Sequence, residues 1–416
     1  MENMIKINGG KKLSGEVTIS SSKNATVALL PAVVLASEFV KIYGVPDIDD
    51  VDALVKLLNE LNIKVNIDND AYTMDPTNIK NCDLLGDDVS KLRASYYFLG
   101  ALLGRFKHVK MKKPGGCNLG PRPIDLHLKG FKALGAKIIE NEEDDVIEII
   151  ADKLVGDEIY LDFASVGATI NIMLAAVLAK GRTIIQNAAK EPEIIDLSSM
   201  LNKMGAKIHG AGTSEITIDG VARLKGCIHD VIPDRIEAGT YLILASAVGE
   251  NILIKNVIPQ HIDALLSKLE DIGIDFEVNI DSIKVNSQKH INHVNVKTQT
   301  FPGFATDLQQ PLTTLLTLAN GTSHITETIY PQRFRHCNEL NKMGANIKVG
   351  KSDCTINGPT PLKGAEVTAT DLRCGASLVI AGLMAQGTTI IHDAYHIFRG
   401  YDSIVEKLKK LGADIE

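Results

Sequence analysis

The sequence predicts an α/β protein of two domains, each built from three copies of a repeat of about 70 residues. A short segment recurs along the 416 residues as Leu134-Gly135-Ala136, Met204-Gly205-Ala206, Met343-Gly344-Ala345 and Leu411-Gly412-Ala413, and more loosely as Ile272-Gly273-Ile274 and Leu61-Asn62-Ile63. Its central positions are separated by 73, 70, 68, 71 and 68 residues. Such regular spacing indicates one supersecondary unit repeated six times. Because the chain is too long for one ordinary core, we expect two domains of three repeats.

Each repeat contains the same elements in the same order. An Ala- and Leu-rich stretch of helical period, as in residues 169–179, is followed by an alternating strand, as in 182–185. A second, amphipathic helix, as in 194–204, ends at the recurring glycine, which is the usual residue after a helix C-cap. Two short alternating strands, as in 207–208 and 215–218, complete the repeat.

The composition argues against several functional classes. A net charge of −7 disfavours a general nucleic-acid binder, which needs a basic face. The six cysteines form no C-x-x-C pair and no zinc-like spacing with histidine, so we expect no metal, no disulfide framework and a reducing compartment. Apolar runs are shorter than the ~18 residues that span a membrane, and the N-terminus lacks a signal-peptide pattern. We therefore expect a cytoplasmic protein.

The segment Pro114–Pro123 predicts a reactive thiol beside an anion site. Its three glycines and three prolines restrict the backbone of an exposed loop. Cys117 and Arg122 lie five residues apart within it. A nearby positive charge favours the thiolate, and a guanidinium group can bind phosphate or carboxylate through two parallel hydrogen bonds. The alternative is a turn that contains an inert, buried cysteine.

The first helices of the repeats begin with an unusual set of residues. Alignment of the repeats places these starts at Lys23-Asn24, Arg93-Ala94, Ser165-Val166-Gly167, Arg235-Ile236, Thr306-Asp307 and Arg373-Cys374. Four of the six carry Lys or Arg, although the helix dipole favours acidic residues there. Free backbone N–H groups beside a cation predict phosphate binding. If the helices converge, these starts would form an electropositive pocket.

Two further features bear on that pocket. Thr306 or Asp307 would serve as an N-cap, and a carboxylate facing several cations would stay ionised and could act as a base. Arg399 precedes the second helix of repeat six, where repeat two has Arg122; a surface ion pair is the alternative for Arg399. We expect neither an NTPase nor a dinucleotide site, because no Walker-type motif is present and Gly210-Ala211-Gly212 falls in a strand connection.

The chain resembles the enolpyruvyl transferase family, and within it the enzymes acting on UDP-N-acetylglucosamine, at Lys23-Asn24, Arg93, the Pro114–Pro123 loop, Thr306-Asp307 and Arg399. The resemblance runs from Ile5 to the C-terminus. It implies a two-domain inside-out α/β barrel, with helices buried and sheets outside. One domain would comprise residues 22–230 and carry the Cys117 loop. The other would comprise residues 1–21 and 231–416, with hinges near 20–22 and 229–233 and the active site in the cleft between the domains.

The resemblance also implies a reaction. The enolpyruvyl group of phosphoenolpyruvate would move to the 3′-hydroxyl of UDP-N-acetylglucosamine with release of phosphate, in the first committed step of peptidoglycan synthesis. The hydroxyl would add to C2 while C3 gains a proton, and the tetrahedral ketal would then lose phosphate and that proton. No cofactor or metal is implied. We expect a monomer that binds these two small molecules and neither nucleic acid nor membrane.

Site residues follow from the resemblance position by position. Cys117, Asp307 and Lys23 would be catalytic, with Cys117 as acid, transient covalent partner and fosfomycin target, and Asp307 as base at the sugar hydroxyl. Phosphoenolpyruvate would be held by Lys23, Asn24, Arg122 and Arg399, with Arg93 and Arg373 supporting. The nucleotide sugar would contact Asn24, Arg93, Arg122, Pro123, Ile124, Asp125, Leu126, Ser165, Val166, Gly167, Asp307 and Ile329.

The chain departs from the family pattern at three places. Ser21-Ser22 replaces the Gly-Ala of many relatives, Phe163 replaces a lysine that contacts diphosphate in some, and Phe398 replaces an acid before Arg399. Two alternatives stay open: a transferase acting on shikimate 3-phosphate, and a non-catalytic nucleotide-sugar sensor on the same fold. The Cys117 loop argues against the first. The presence of all the implied catalytic residues argues against the second.

Overall fold

The computed structural model describes residues 3–86, 89, 92–113, 124–141, 145–286 and 290–416. These residues form two compact units, each with its own hydrophobic core. The central unit comprises the described residues between Ser21 and Ile232. The terminal unit comprises the described residues up to Ser20 together with Pro233–Glu416. Among the described residues, the chain therefore passes from one unit to the other after Ser20 and again after Ile232.

Small sheets, one for each repeat, make up the strand content of both units. In order across the sheet, those of the central unit are β13 (Ile228–Asp230), β3 (Val40–Tyr43), β5 (Ala71–Asp75), β4 (Lys64–Asp68); then β6 (His108–Lys112), β8 (Val146–Ile150), β7 (Lys137–Asn141); then β9 (Glu158–Tyr160), β10 (Arg182–Gln186), β12 (Glu215–Asp219), β11 (Lys207–His209). Those of the terminal unit are β2 (Leu13–Thr18), β14 (Gly249–Lys255), β16 (Ser282–Val285), β15 (Phe276–Val278); then β17 (Asn295–Lys297), β18 (Gly321–Thr326), β20 (Asp353–Gly358), β19 (Ile347–Val349); then β21 (Glu366–Thr368), β22 (Thr388–His392), β1 (Met4–Asn8), β23 (Asp414–Ile415).

Each four-stranded sheet has the same pairing, with one parallel edge and two antiparallel contacts. A parallel pair needs a crossover connection, and the first helix of the repeat usually supplies it. Two edge strands break this rule. β2 precedes the first helix of the central unit but pairs with β14 in the terminal unit, and β13 precedes the terminal unit's first helix but pairs with β3. The two edge strands are therefore exchanged where the chain passes from one unit to the other.

The first helices of the repeats lie in the cores. They are α1 (Lys23–Ala32), α3 (Tyr97–Phe106, preceded by a 3₁₀ turn over Arg93–Tyr96), α5 (Val166–Ala176), α7 (Arg235–Val248), α9 (Thr306–Leu316) and α11 (Leu372–Met384). α5 is buried without interruption from Ala168 to Ala176, as expected of a helix that is apolar on all sides. α3 packs against α5, and α9 packs against both α7 and α11.

The second helices and the sheets cover these cores. The second helices are α2 (Asp49–Glu60), α4 (Asp125–Ala133), α6 (Pro192–Lys203), α8 (Asp263–Asp271), α10 (Arg335–Lys342) and, in the last repeat, α12 (Tyr395–Phe398) with α13 (Ile404–Lys410). Strands such as β10 and β12 bury alternate residues only. Buried first helices inside half-exposed sheets confirm the predicted inside-out α/β fold and its repeat of helix, strand, helix and two strands.

The recurring glycine has one conformational role throughout. Gly135, Gly205, Gly273, Gly344 and Gly412 adopt φ angles of 94°, 104°, 86°, 99° and 96°, and Asn62 adopts 62°. This left-handed conformation ends the second helix of each repeat, and glycine or asparagine adopts it at least cost. The degraded copy at Asn62 therefore keeps the geometry of the other five.

Candidate active site

Asp307 lies in the first turn of α9 between two buried cations. Arg333 Nη1 is 2.6 Å from Asp307 Oδ1, and Arg373 Nη2 is 3.1 Å from Asp307 Oδ2. The side chains of Arg333 and Arg373 are only 3% and 2% exposed, against 26% for Asp307. A partly accessible carboxylate is thus held by guanidinium groups that solvent scarcely reaches.

The expected N-cap role of Thr306 or Asp307 is wrong. Ala305 occupies the N-cap position and makes no capping hydrogen bond with its side chain. The Thr306 hydroxyl instead donates to Glu327 Oε2 at 2.9 Å and accepts from Arg333 at 3.1 Å. The Thr306 hydroxyl is thus engaged by Glu327 and Arg333, and the Asp307 carboxylate by Arg333 and Arg373.

Two other helices of the terminal unit, α11 and α7, begin near Arg373. Asp371, the N-cap of α11, accepts from Arg373 N and Cys374 N at 3.0 and 3.1 Å, so α11 begins at Leu372, one residue earlier than predicted. Asp234 caps α7 in the same way, and its charge acts on Arg373. Acidic N-caps therefore accompany the basic residues at these two helix starts and satisfy the dipole preference, so the predicted reversal of that preference is wrong at α7 and α11.

Opposing effects act on the two buried arginines. Burial by itself lowers the pKa of Arg373, but Tyr401, Asp307 and Asp234 outweigh burial, and the pKa is raised above its ordinary value. The Arg373 guanidinium also lies 5.3 Å from the centre of the Tyr401 ring. Burial likewise lowers the pKa of Arg333, and Asp307 and Asp371 raise it by more. Both groups therefore stay charged beside Asp307.

Arg333 was not among the residues that the sequence indicated. It lies two residues before α10, the second helix of repeat five. Arg122 precedes α4 in repeat two, and Arg399 precedes α13 in repeat six. Extending that positional comparison to repeat five would have identified Arg333.

Ile329 and Arg399 occupy loops of the same unit. The backbone N–H of Ile329 donates to Glu327 Oε1 at 2.8 Å, and the other oxygen of Glu327 accepts from Thr306. Ile329 is thereby tied to the start of α9. Arg399, half-buried, directly follows α12. Burial and the charge of Arg399 together lower the pKa of His396.

In the central unit, Lys23 is the first residue of α1. Ser22 caps this helix by accepting from Ala25 N at 3.2 Å. Lys23 Nζ lies 2.6 Å from Asp50 Oδ2, and the two side chains are 13% and 7% exposed. Asp50, in the first turn of α2, is a second residue that the sequence analysis missed. The half-buried Asn24 follows Lys23 in the same turn.

Arg93 and Gly167 lie in one cluster around Tyr96 and His127. The Arg93 guanidinium is 5.5 Å from the centre of the Tyr96 ring, and the Tyr96 and His127 rings are 4.9 Å apart. A Cβ atom on Gly167 would lie 2.7 Å from the Tyr96 hydroxyl and 2.9 Å from His127 Cε1. Glycine is therefore required at this point in the first turn of α5, which Ser165 caps.

The other predicted contacts of the nucleotide sugar lie nearby in sequence. Ile124 is the N-cap of α4, the exposed Asp125 is its first residue, and Leu126 is half-buried. Val166 is the first residue of α5. Cys117, Arg122 and Pro123 lie outside the described residues.

No cluster of three or more His, Cys, Asp or Glu side chains in the described ranges could hold a metal ion. None of the helices that the structure describes is both long and apolar enough to cross a membrane.

Comparison with known proteins finds similarity along the whole chain. The family model described as EPSP synthase (3-phosphoshikimate 1-carboxyvinyltransferase) matches residues 7–408. UDP-N-acetylglucosamine 1-carboxyvinyltransferase 2 from Staphylococcus aureus strain N315 is 54% identical over 414 residues, covering 100% of this chain and 98% of the relative. The protein of the same name from Listeria monocytogenes serovar 1/2a is 54% identical over 415 residues, with the same coverage.

Solved structures show the same similarity in three dimensions. The enolpyruvyl transferase NikO from Streptomyces tendae has a TM-score of 0.91 at 26% identity, covering 99% of this chain and 98% of its own. An EPSP synthase from Acinetobacter baumannii has a TM-score of 0.78 at 19% identity, covering 99% of both chains. The second likeness concerns the fold alone.

Proposed function

Because the chain belongs to the enolpyruvyl transferase family, we propose that it transfers the enolpyruvyl group of phosphoenolpyruvate to the 3′-hydroxyl of UDP-N-acetylglucosamine and releases phosphate. One observation carries the choice of acceptor: the 54% identity, over the full length of both chains, to enzymes named for this sugar nucleotide. The product would enter peptidoglycan synthesis.

In this proposal Asp307 is the base at the sugar hydroxyl. Arg333 and Arg373 favour its ionised form, in which both oxygens accept hydrogen bonds. As the hydroxyl oxygen bonds to C2 of phosphoenolpyruvate, Asp307 would take the hydroxyl proton. C3 gains a proton at the same stage, which gives the tetrahedral ketal. Loss of phosphate and of one C3 proton then yields the enolpyruvyl ether.

Cations would neutralise the phosphate and carboxylate of phosphoenolpyruvate. Lys23, Arg122 and Arg399 are proposed for this role, with Asn24, Arg93 and Arg373 supporting. Arg373 Nη1 and Arg333 Nε support an anion here, because both atoms are buried and neither donates to a described residue. A buried guanidinium N–H without an acceptor is costly, and a substrate oxygen would satisfy it.

The nucleotide sugar would lie against the starts of α4 and α5. Backbone N–H groups in the first turn of a helix attract phosphate oxygens, and the clash that a side chain at Gly167 would produce shows how tightly the first turn of α5 is packed. Arg93, Ser165 and Val166 would share this contact, and Ile124, Asp125 and Leu126 would add contacts at α4. The remaining proposed contacts of the nucleotide sugar are Arg122, Pro123, Asn24, Asp307 and Ile329.

Cys117 is proposed as the acid that protonates C3. An acid there must be poised to give up its proton. Arg122 is five residues from Cys117 in the sequence, and a cation near a thiol stabilises the thiolate. The described cysteines are buried or half-buried free thiols. Free thiols suit a reducing compartment, and we infer that the protein is cytoplasmic. We also infer that it is a monomer, which light scattering would check.

Phosphate release from phosphoenolpyruvate tests the proposed function. UDP-N-acetylglucosamine and shikimate 3-phosphate would be supplied in parallel as acceptors. We expect phosphate release when UDP-N-acetylglucosamine is the acceptor and none when shikimate 3-phosphate is the acceptor. Release with shikimate 3-phosphate alone would assign the other acceptor, and binding of the sugar nucleotide without any turnover would identify a non-catalytic sensor.

A further inference from the structure

A buried hydrogen-bond relay in the central unit determines where the proton of His127 lies. Asn171, on α5, is 0% exposed. Its Oδ1 accepts from the backbone N–H of Gly100 on α3 at 2.8 Å, and its Nδ2 is 2.9 Å from His127 Nδ1. The relay therefore joins three helices, α3, α5 and α4.

The orientation of the Asn171 amide follows from its first contact. A backbone N–H can only donate, so the amide atom that faces Gly100 is the oxygen. The atom that faces His127 is then the NH₂ group, which has no acceptor capacity. His127 Nδ1 must therefore be the unprotonated nitrogen, and the imidazole proton is on Nε2.

The close approach of α3 and α5 makes the relay rigid. A Cβ atom at Gly100 would lie 2.4 Å from the carbonyl oxygen of Asn171 and 2.6 Å from Oδ1. Glycine at this position lets the two helices come close enough for the hydrogen bond. Rotation of the amide would place NH₂ against N–H and would leave two buried donors facing each other, at a cost of about 1–3 kcal/mol for each unsatisfied group.

The same contact disfavours a second proton on the ring. Protonation of Nδ1 would point one N–H at another. Burial, and then the charge of Arg93, lower the pKa of His127 to about 3. The imidazole is therefore neutral across the physiological range, unlike an exposed histidine.

We propose that Asn171 is a positioning residue, which holds His127 as a neutral imidazole with its N–H on Nε2 and presents that donor to an oxygen of the nucleotide sugar at the start of α5. His127 Nε2 is 3.1 Å from the position that a Cβ on Gly167 would occupy, so the donor borders the first turn of α5. The ligand in this inference rests on the proposed function, whereas the protonation of His127 does not.

The Asn171→Asp substitution separates these two statements. It keeps the acceptor for Gly100 but places an oxygen against His127 Nδ1, which then becomes the protonated nitrogen. Asn202→Asp is the matched control, because Asn202 also donates to and accepts from a backbone group, that of Ile208, and neither of these hydrogen bonds involves a histidine. A His127→Gln variant identifies the His127 signals among those of the eleven histidines.

The measurement is a ¹H–¹⁵N correlation spectrum of protein labelled in its histidine rings. In the wild type and in Asn202→Asp we expect a neutral His127 with Nε2 protonated between about pH 5.5 and pH 8.5. In Asn171→Asp we expect a protonated Nδ1 and, in parallel, a rise of about tenfold in KM for UDP-N-acetylglucosamine with kcat changed less than about twofold. The wild-type spectrum decides the protonation even if the variant does not fold.

Four results would overturn parts of the inference. A wild-type ring protonated on Nδ1, or a spectrum unchanged by Asn171→Asp, would refute the role of Asn171. A changed spectrum with an unchanged KM would refute donation to the nucleotide sugar. Absence of turnover with every acceptor, combined with the expected spectra, would refute the proposed function and leave the assignment of His127 intact.

Discussion

Replacement of Asp307 by asparagine tests the candidate site most directly. The two guanidinium contacts, at 2.6 and 3.1 Å, involve arginines that are almost fully buried. At an effective dielectric constant of about 20, two unit charges about 4 Å apart attract by about 4 kcal/mol, and dehydration of the ions offsets much of this gain. Asp307→Asn leaves both guanidinium groups buried without their counter-charge. Because breaking a buried pair costs about 3–5 kcal/mol, we expect the free energy of unfolding to fall by about 3 kcal/mol.

Urea unfolding and phosphate release would be measured on the same preparations. Loss of the proposed base should also lower kcat by about 10²- to 10⁴-fold. Asp219→Asn is the matched control, because Asp219 pairs with Arg182 at 2.8 Å on the exposed surface; it should behave as the wild type in both assays. If Asp307→Asn unfolds within about 1 kcal/mol of the wild type, the ion pairs do not stabilise this site. If its kcat stays within about threefold, Asp307 is not the base.

Four further substitutions test separate parts of the reasoning. Lys23→Ala should lower kcat/KM for phosphoenolpyruvate by more than about tenfold; steady-state kinetics with unchanged values would remove Lys23 from the site. Gly167→Ala should raise KM for UDP-N-acetylglucosamine, because the added methyl group would lie 2.7 Å from the Tyr96 hydroxyl, and an unaltered KM would contradict this packing. Glu237, in the first turn of α7, pairs with Lys407 at 2.6 Å, but burial outweighs this contact and raises the pKa of Glu237 from 4.5 to about 7. The folded state therefore retains this proton more tightly, and the stability from this group falls as pH rises from about 4.5 to about 7. Glu237→Gln should remove this pH dependence. Urea titrations at successive pH values would then give a flatter plot of the free energy of unfolding against pH. Fosfomycin should add mass to the wild-type protein but not to Cys117→Ala, and an unmodified wild-type thiol in the presence of sugar nucleotide would exclude an activated cysteine.

The two phenylalanine departures lie on the surface. The side chains of Phe163 and Phe398 are 45% and 39% exposed. The carbonyl of Phe163 accepts from Ser165 N at 2.7 Å, so the backbone turn that leads into α5 is present without the lysine of some relatives. A replacement at an exposed position alters the charge offered to a ligand and leaves the core packing unchanged.

Much of the fold was predictable because its signals are local. Each signal depends only on residues that are close in sequence: the helical period, the strand alternation, and the residue able to adopt positive φ. All three recur in every repeat. The left-handed conformation of Asn62 shows that even the weakest copy follows the rule. The exchange of β2 and β13 was not predictable from the repeat, since strand pairing depends on which edge is available after the chain has packed.

The sequence by itself determined the six repeats, their elements and most of the residue types proposed for the chemistry, because these depend on short spacings and on the nature of the side chains. Only the tertiary structure decided their partners. Asp307 meets Arg333 and Arg373, 26 and 66 residues away, and Lys23 meets Asp50. The physical reason is burial: a charge removed from water must be matched by an opposite charge or a hydrogen bond. Which groups can supply that match is set by how the helices pack, and not by their separation along the chain.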